Sequence, residues 1–227
     1  MSSHLLPALN EIRDTFEDEV SRHGGQVTDV YDRCNTLFLR SVFPTRQLVR
    51  TGDALKGGVA MRAHRDQVDV HPYVFREVCK NGAIGAVVLE SVRIARCDFA
   101  ASNEQIEDVL QDIRQAICDC SNESVLSDAV VDMRRSMRNP AHIDMLLNLI
   151  ALTRSSEAIV ARYFDQIVEQ FNMEADDSVY GLMNAVTATA RETRDPEDRW
   201  RLEELGGGIP ALISPVRKPS GAAAVFV

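Results

Sequence analysis

The stretch Val70–Gly85, VHPYVFREVCKNGAIG, decides the fold. Its apolar residues Tyr73, Val74, Phe75 and Val78 lie close together, and Arg76, Cys79, Asn81 and Gly82 follow in short order. This grouping predicts a short amphipathic helix. Pro72 falls near its first turn, where a missing N–H costs little. Asn81-Gly82 closes it, since both residues tolerate the left-handed conformation that ends a helix. The residues that follow, AIGAVVLESVRIARCDF, read as a buried strand that becomes exposed, covering Ala86 to Phe99.

Toward the N-terminus, Leu5, Leu9, Ile12, Phe16 and Val20 recur at spacings of three and four. They predict an amphipathic helix over 5–22 with a solvated acidic outer face, stopped by His23-Gly24-Gly25. From Val27 to Val42 the period shortens to two and predicts two strands, the second ended by Pro44. Residues 45–58 read as a loop, with turn signals at Gly52-Asp53 and Gly57-Gly58. A hairpin around His64 to Gln67 follows. Beyond Ser102, a reasonable N-cap, the pattern turns helical. Segments start at Asn103, at Ser124, at Ala141 (apolar nearly all round, the expected centre of a helical core), at Ser156 and at Ser178. Asp195-Pro196 opens a last helix, stopped by Gly206–Gly208, and Trp200 is expected to fill the joint between that helix and its neighbours. The fold class is therefore α+β, a small mixed or antiparallel sheet with a crossing helix followed by a helical half. The chain divides into an N-terminal helix (1–26), a basic α+β module (27–101), a helical region (102–213) and a mobile tail (214–227).

A chain of 227 residues with 45% hydrophobic and 26% charged residues can bury a real core. No apolar run approaches the roughly 20 residues of a membrane span, and the first residues lack a signal pattern. A cytoplasmic location without a membrane partner is expected. The five cysteines fit reduced thiols better than a disulfide framework. Cys118-Asp119-Cys120 lacks the second pair a metal site needs, so neither metal nor cofactor is expected. The net charge of −9 is unevenly spread. Residues 33–96 carry eleven Lys/Arg against five Asp/Glu, whereas 97–213 carry ten against twenty-two.

That basic module supplies the candidate site. Arg40, Arg46, Arg50, Lys56, Arg62, Arg65, Arg76 and Lys80 could form a phosphate-tracking surface, with Tyr31, Phe38, Tyr73 or Phe75 stacking bases. Such a surface suits single-stranded DNA or RNA better than a duplex, because no helix-turn-helix or zinc finger is visible. The competing reading pairs these arginines with the acidic helical half. A further alternative is a protein-binding factor, for counter-defence or host takeover, acting through those acidic helices. No catalytic signature appears. Cys79 beside Arg76 could be an activated thiol, but a thiol packed on the sheet is the plainer reading. His64, Asp66, Asp69 and His71 carry metal-binding groups, yet they alternate between strand faces and diverge. The element order also resembles, by fold-level analogy alone, the hairpin-plus-helix core of single-strand annealing proteins. Those assemble as rings, so a homo-oligomer is part of this expectation.

Three stretches carry a family likeness. They are Gly52-Asp53 with Gly58-Val59-Ala60-Met61-Arg62, then Tyr73 to Ile84 (YVFREVCKNGAI), then Tyr180 to Thr187 (YGLMNAVT) with Leu202 to Gly207 (LEELGG). In this order they resemble the phage- and plasmid-borne family of unknown function called phage/plasmid-like. The second stretch is similar to the family's tyrosine-arginine-valine-cysteine-threonine-asparagine-glycine run, with Lys80 in the threonine's place. Ala63-His64 stands where the family carries asparagine-serine. The resemblance implies a mobile-element origin and DNA-related biology, and supplies no active site.

Overall fold

Period-two alternation governs the stretch that decides the fold. Val68, Val70, Pro72 and Val74 fall on one side, and Asp69, His71, Tyr73 and Phe75 on the other. In the computed structural model, which describes residues 5–33, 36–64, 67–84, 92–94, 103–146, 157–174 and 176–213, these residues form a strand. The helix expected over Val70–Gly85 is absent. Strand β4 (Gln67–Arg76) passes through a four-residue turn, Glu77–Lys80, into β5 (Asn81–Ile84). The turn closes at Lys80, whose φ of 54° is left-handed, rather than at Asn81-Gly82. Pro72 survives inside the sheet because it falls between two pairings along one edge of β4. Val68–Val70 pairs β6 (Val92–Ile94) and Tyr73–Arg76 pairs β5.

The helix expected over 5–22 is α1 (Leu5–Arg22). It leads into β1 (Gln26–Arg33), β2 (Thr36–Arg50) and β3 (Asp53–His64), and the sheet is antiparallel in the order β1-β2-β3-β4-β5. The His64–Gln67 hairpin is present, with those two residues directly paired. Two expectations fail nearby. Pro44 does not end β2, because a register shift between Val42 and Arg46 takes the proline out of the ladder and pairing resumes to Arg50. The 45–58 loop is a hairpin whose turn is Thr51-Gly52, Gly52 adopting φ +80°. Gly57-Gly58 is strand, and Gly58 is needed for close approach, since a Cβ there would lie 1.9 Å from the Ser41 carbonyl oxygen. Of the strand expected over 86–99, only Val92–Ile94 falls among the described residues.

The second half comprises α2 (Asn103–Cys120), α3 (Glu123–Ser136), α4 (Glu157–Met173), α5 (Val179–Glu192) and α6 (Pro196–Gly208), closed by a 3-10 turn over Ile209–Ile213. Asn122, Ser178 and Asp195 cap α3, α5 and α6 by accepting backbone N–H bonds, and Pro196 opens α6. All-round burial belongs to α5, buried at every residue from Val179 to Ala190. Residues 147–153 of the expected central helix, the Ser102 cap and the tail lie outside the described residues. The α-helix α6 ends within the glycine run as expected, at Gly208, where the 3-10 turn takes over. Among the described residues no helix is long and apolar enough to cross a membrane.

Helices cover both sheet faces. On one, Leu37, Leu39, Val59, Met61, Val68 and Val70 meet Leu9, Ile12, Phe16 and Val20 of α1 and Ile113 and Ile117 of α2. Farther along, Leu55 and Val74 pack on Leu126 of α3 and on α5. On the other face Phe38, Ala60, Tyr73 and Ile84 surround Trp200 of α6, which is fully buried. Trp200 thus fills the joint between the last helix and the sheet. Trp200→Ala is expected to cost about 3–5 kcal/mol, read as a lower urea midpoint with far-UV helicity retained at zero denaturant.

Candidate functional site

Alternation along β2 and β3 puts Arg40 and Arg62 on the Trp200 face, under α6. Arg40 is 1% exposed. Its Nε donates to Glu203 Oε2 at 2.7 Å and its Nη1 to Asp29 at 3.1 Å. Arg199 closes the ring, holding Glu203 at 3.1 Å and Asp29 at 2.9 Å. Arg62 donates to Asp69 at 2.8 Å and to Glu197 at 2.9 Å. The Arg40 and Arg62 guanidinium carbons lie 5.9 and 5.5 Å from the Trp200 ring centre. Burial pushes the Asp69 carboxyl up, but hydrogen bonds from Arg62 and Gln67 outweigh it and hold the carboxyl below its ordinary value. Burial raises Glu204, which stands 3.8 Å from His71.

A second ionic cluster lies where β3 begins and β4 ends. Arg76 grips Asp53 with two bonds of 2.7 and 2.9 Å, and the Tyr180 hydroxyl donates to Asp53 at 3.1 Å. Burial disfavours the charged Arg76 guanidinium, yet the bonds to Asp53 leave it more basic than usual. Burial also raises the Tyr180 hydroxyl. Arg50 reaches Asp176 at 3.3 Å and Arg76 approaches Glu174 at 3.7 Å. Asn81 is buried beside this cluster as the register partner of Arg76, and Asn184 lies one turn beyond Tyr180 on α5. Residues of three separately quoted stretches meet here, namely Asp53, then Arg76 with Asn81, then Tyr180 with Asn184.

Four of the eight candidate cations, Arg40, Arg50, Arg62 and Arg76, therefore bind carboxylates of the helical half. Arg65 lies outside the described residues. Of the remaining three, Arg46 and Lys56 stand at the other end of the Trp200 face and Lys80 lies in the turn that follows β4. Arg46 and Lys56 are directly opposed across β2 and β3, and Lys56 is directly opposed to Phe75 of β4. The Arg46 side chain is 59% exposed and that of Lys56 31%. Phe75 is half-buried against the Trp200 cluster. Both cations hold Glu77, at 2.6 and 3.2 Å. Lys80 is exposed three residues along the same turn. Of the other candidate stackers, Phe38 and Tyr73 are buried and Tyr31 is 37% exposed on β1.

A cleft of about 570 Å³ opens between the strand ends and α6, lined by Thr36, Phe38, Arg62, His64, Asp195, Pro196, Glu197 and Arg201. Its carboxylates are engaged, Glu197 with Arg62 and Arg201 and Asp195 in capping α6. Thr36 and His64 share a hydrogen bond at its rim. Among the described residues no group of three His, Cys, Asp or Glu could hold a metal. Asp69 is tied to Arg62, and Asp66 lies outside the described residues. Cys79 is not a core thiol but sits half-buried in the Glu77–Lys80 turn, its carbonyl accepting from Arg191. Burial pushes the Cys120 thiol up to about 12. Sequence reasoning missed the carboxylates Asp53, Glu77, Glu197 and Glu203. The one available signal was an arginine inside an apolar strand, which demands a buried counter-charge.

Glu203→Gln is expected to destabilise the fold by about 3–5 kcal/mol, because Arg40 then keeps its charge in a buried place. Arg40→Met with Glu203→Leu should recover most of that loss in chemical denaturation. Asp69 has a depressed folded pKa, so its contribution to stability is complete above the ordinary carboxylate value of about 4 and is lost as pH falls through the folded value. The gap in stability between wild type and Asp69→Asn should accordingly narrow as unfolding is measured from about pH 6 down to about pH 2.

Comparison of this chain with protein-family models, curated proteins and solved structures finds no match.

Proposed function

We propose that this protein binds single-stranded nucleic acid through the open end of its sheet, with Arg46, Lys56 and Lys80 meeting phosphates and Phe75 stacking on a base. The observation that carries the reading is the row Arg46–Lys56–Phe75, three directly opposed residues on adjacent strands. Like charges facing each other across a sheet are destabilising unless an anion lies between them, and the Glu77 carboxylate holds that place here. The row makes sense as a surface for an anion. The family likeness, with its implication of mobile-element and DNA-related biology, agrees with this reading.

Magnitudes shape the proposal further. Three phosphate contacts on a single strand give a slope of only about −2 in log K against log salt, and one stacked base adds about 1–3 kcal/mol. One copy therefore holds a strand weakly. Several copies side by side, as in an annealing-type oligomer, would hold it tightly through effective concentration. A cytoplasmic setting suits the free thiols Cys79, Cys118 and Cys120.

Fluorescence anisotropy with labelled oligothymidylate of about 30 nucleotides is the direct test. Binding should be strongest at low salt and weaken with the slope given above. Arg46→Glu with Lys56→Glu should abolish it, and Phe75→Ala should weaken it by roughly five- to hundredfold. Absence of binding to both DNA and RNA at low salt, by wild type and by a Glu77→Gln variant alike, would overturn the reading in favour of a protein partner on the acidic helices.

A further inference from the structure

We infer that Glu77 is a built-in competitor for phosphate, an autoinhibitory side chain that occupies the Arg46–Lys56 pair until a strand displaces it. The inference rests on the proposed nucleic-acid surface and adds its regulation. Glu77 is the first residue of the turn between β4 and β5, directly after Phe75-Arg76. One carboxylate oxygen, Oε2, meets Arg46 Nε at 2.6 Å and the other, Oε1, meets Lys56 Nζ at 3.2 Å. The two oxygens of one anion thus bridge two cations on neighbouring strands, as two oxygens of a phosphodiester would. The backbone fixes this placement, since the Glu77 N–H donates to the Ala54 carbonyl at 3.0 Å. Ala54 lies two residues before Lys56 on β3, so the turn is registered against the strand that carries one of the cations. Arg191 of α5 holds the same turn through the Cys79 carbonyl.

The contact is suited to exchange. Arg46 is more than half exposed and Glu77 is 29% exposed, so a phosphate can approach without unfolding anything. Exposed ion pairs of this kind are weak, and a polyanion offering further contacts can outcompete them. Arg40 and Arg76, by contrast, are buried against their carboxylates and remain closed. Glu77 therefore sets a threshold: short or singly charged anions do not displace it, and a strand engaging Arg46, Lys56, Lys80 and Phe75 together does. With the carboxylate released, Lys80 on the same turn joins the phosphate path.

The test compares full-length wild type, Glu77→Gln, Glu11→Gln and Arg46→Glu/Lys56→Glu on the same oligothymidylate. Glu11 is exposed on α1, and its change alters net charge equally far from the site. Glu77→Gln is expected to bind roughly three- to tenfold tighter than wild type at low salt. Its salt slope should stay near that of wild type, because the same three cations meet phosphates in both. Glu11→Gln should match wild type. Equal binding by Glu77→Gln and wild type overturns the inference while leaving the surface assignment standing. Equal tightening by Glu11→Gln also overturns it, as an effect of net charge alone. Undiminished binding by the double-charge variant overturns the surface assignment itself. Should wild type fail to bind and Glu77→Gln succeed, the inference is supported in its strongest form, and failure by both sinks it. A thermal midpoint of Glu77→Gln within a few degrees of wild type assures that folding is not the variable.

Discussion

Opposite charges buried between a sheet and the helix that covers it are what the structure depends on. Arg40 and Glu203 are both almost completely excluded from solvent and meet at 2.7 Å. Removing charges from water costs several kcal/mol each, and a good partner restores that only when geometry is close. The pair therefore contributes little to net stability and a great deal to uniqueness. Any other seating of α6 on the sheet takes Glu203 from Arg40 and Glu197 from Arg62, which keep their strand partners Asp29 and Asp69. The aromatic ring of Trp200 completes the arrangement with both guanidinium groups above it. Apolar packing brings helix and sheet together; the charges say in which register.

The same logic explains why only part of the basic module is available for binding. Charge density along residues 33–96 reads as one cationic surface, but alternation in β2 and β3 sends successive arginines to different fates. Arg40 and Arg62 turn under α6, Arg76 turns toward Tyr180, and Arg50 reaches across to Asp176. Arg46, beyond the register shift that follows Val42, keeps a side chain that is 59% exposed. A local irregularity in one strand thus separates arginines that hold the fold from one that faces outward.

Much of the architecture was legible. The spacing of Leu9, Ile12, Phe16 and Val20 specifies α1, the break at His64–Gln67 specifies a hairpin, and Asp195-Pro196 marks the start of α6. Those signals are local. Val70–Gly85 was misread because its pattern admits two periods over so short a span, and one strand that pairs with it, β6, lies outside the reading window. Pro44 and Gly57-Gly58 misled for a related reason: each marks a distortion that pairing absorbs rather than an end. The candidate site was half legible. Cations could be counted, but no spacing tells that Asp53 meets Tyr180 or that Glu203 meets Arg40, contacts made across most of the chain.

The Arg40–Glu203 contact spans 163 positions, and this has a bearing on biosynthesis. A nascent chain exposes β2 and β3 long before α6 has left the ribosome. During that interval Arg40 and Arg62 have Asp29 and Asp69 but lack Glu203 and Glu197, so closing the Trp200 face would bury cations short of a counter-charge. The apolar face against α1 carries no such penalty. Vectorial synthesis therefore favours an ordered assembly in which α1 docks early and the opposite face stays wet until the final helix arrives.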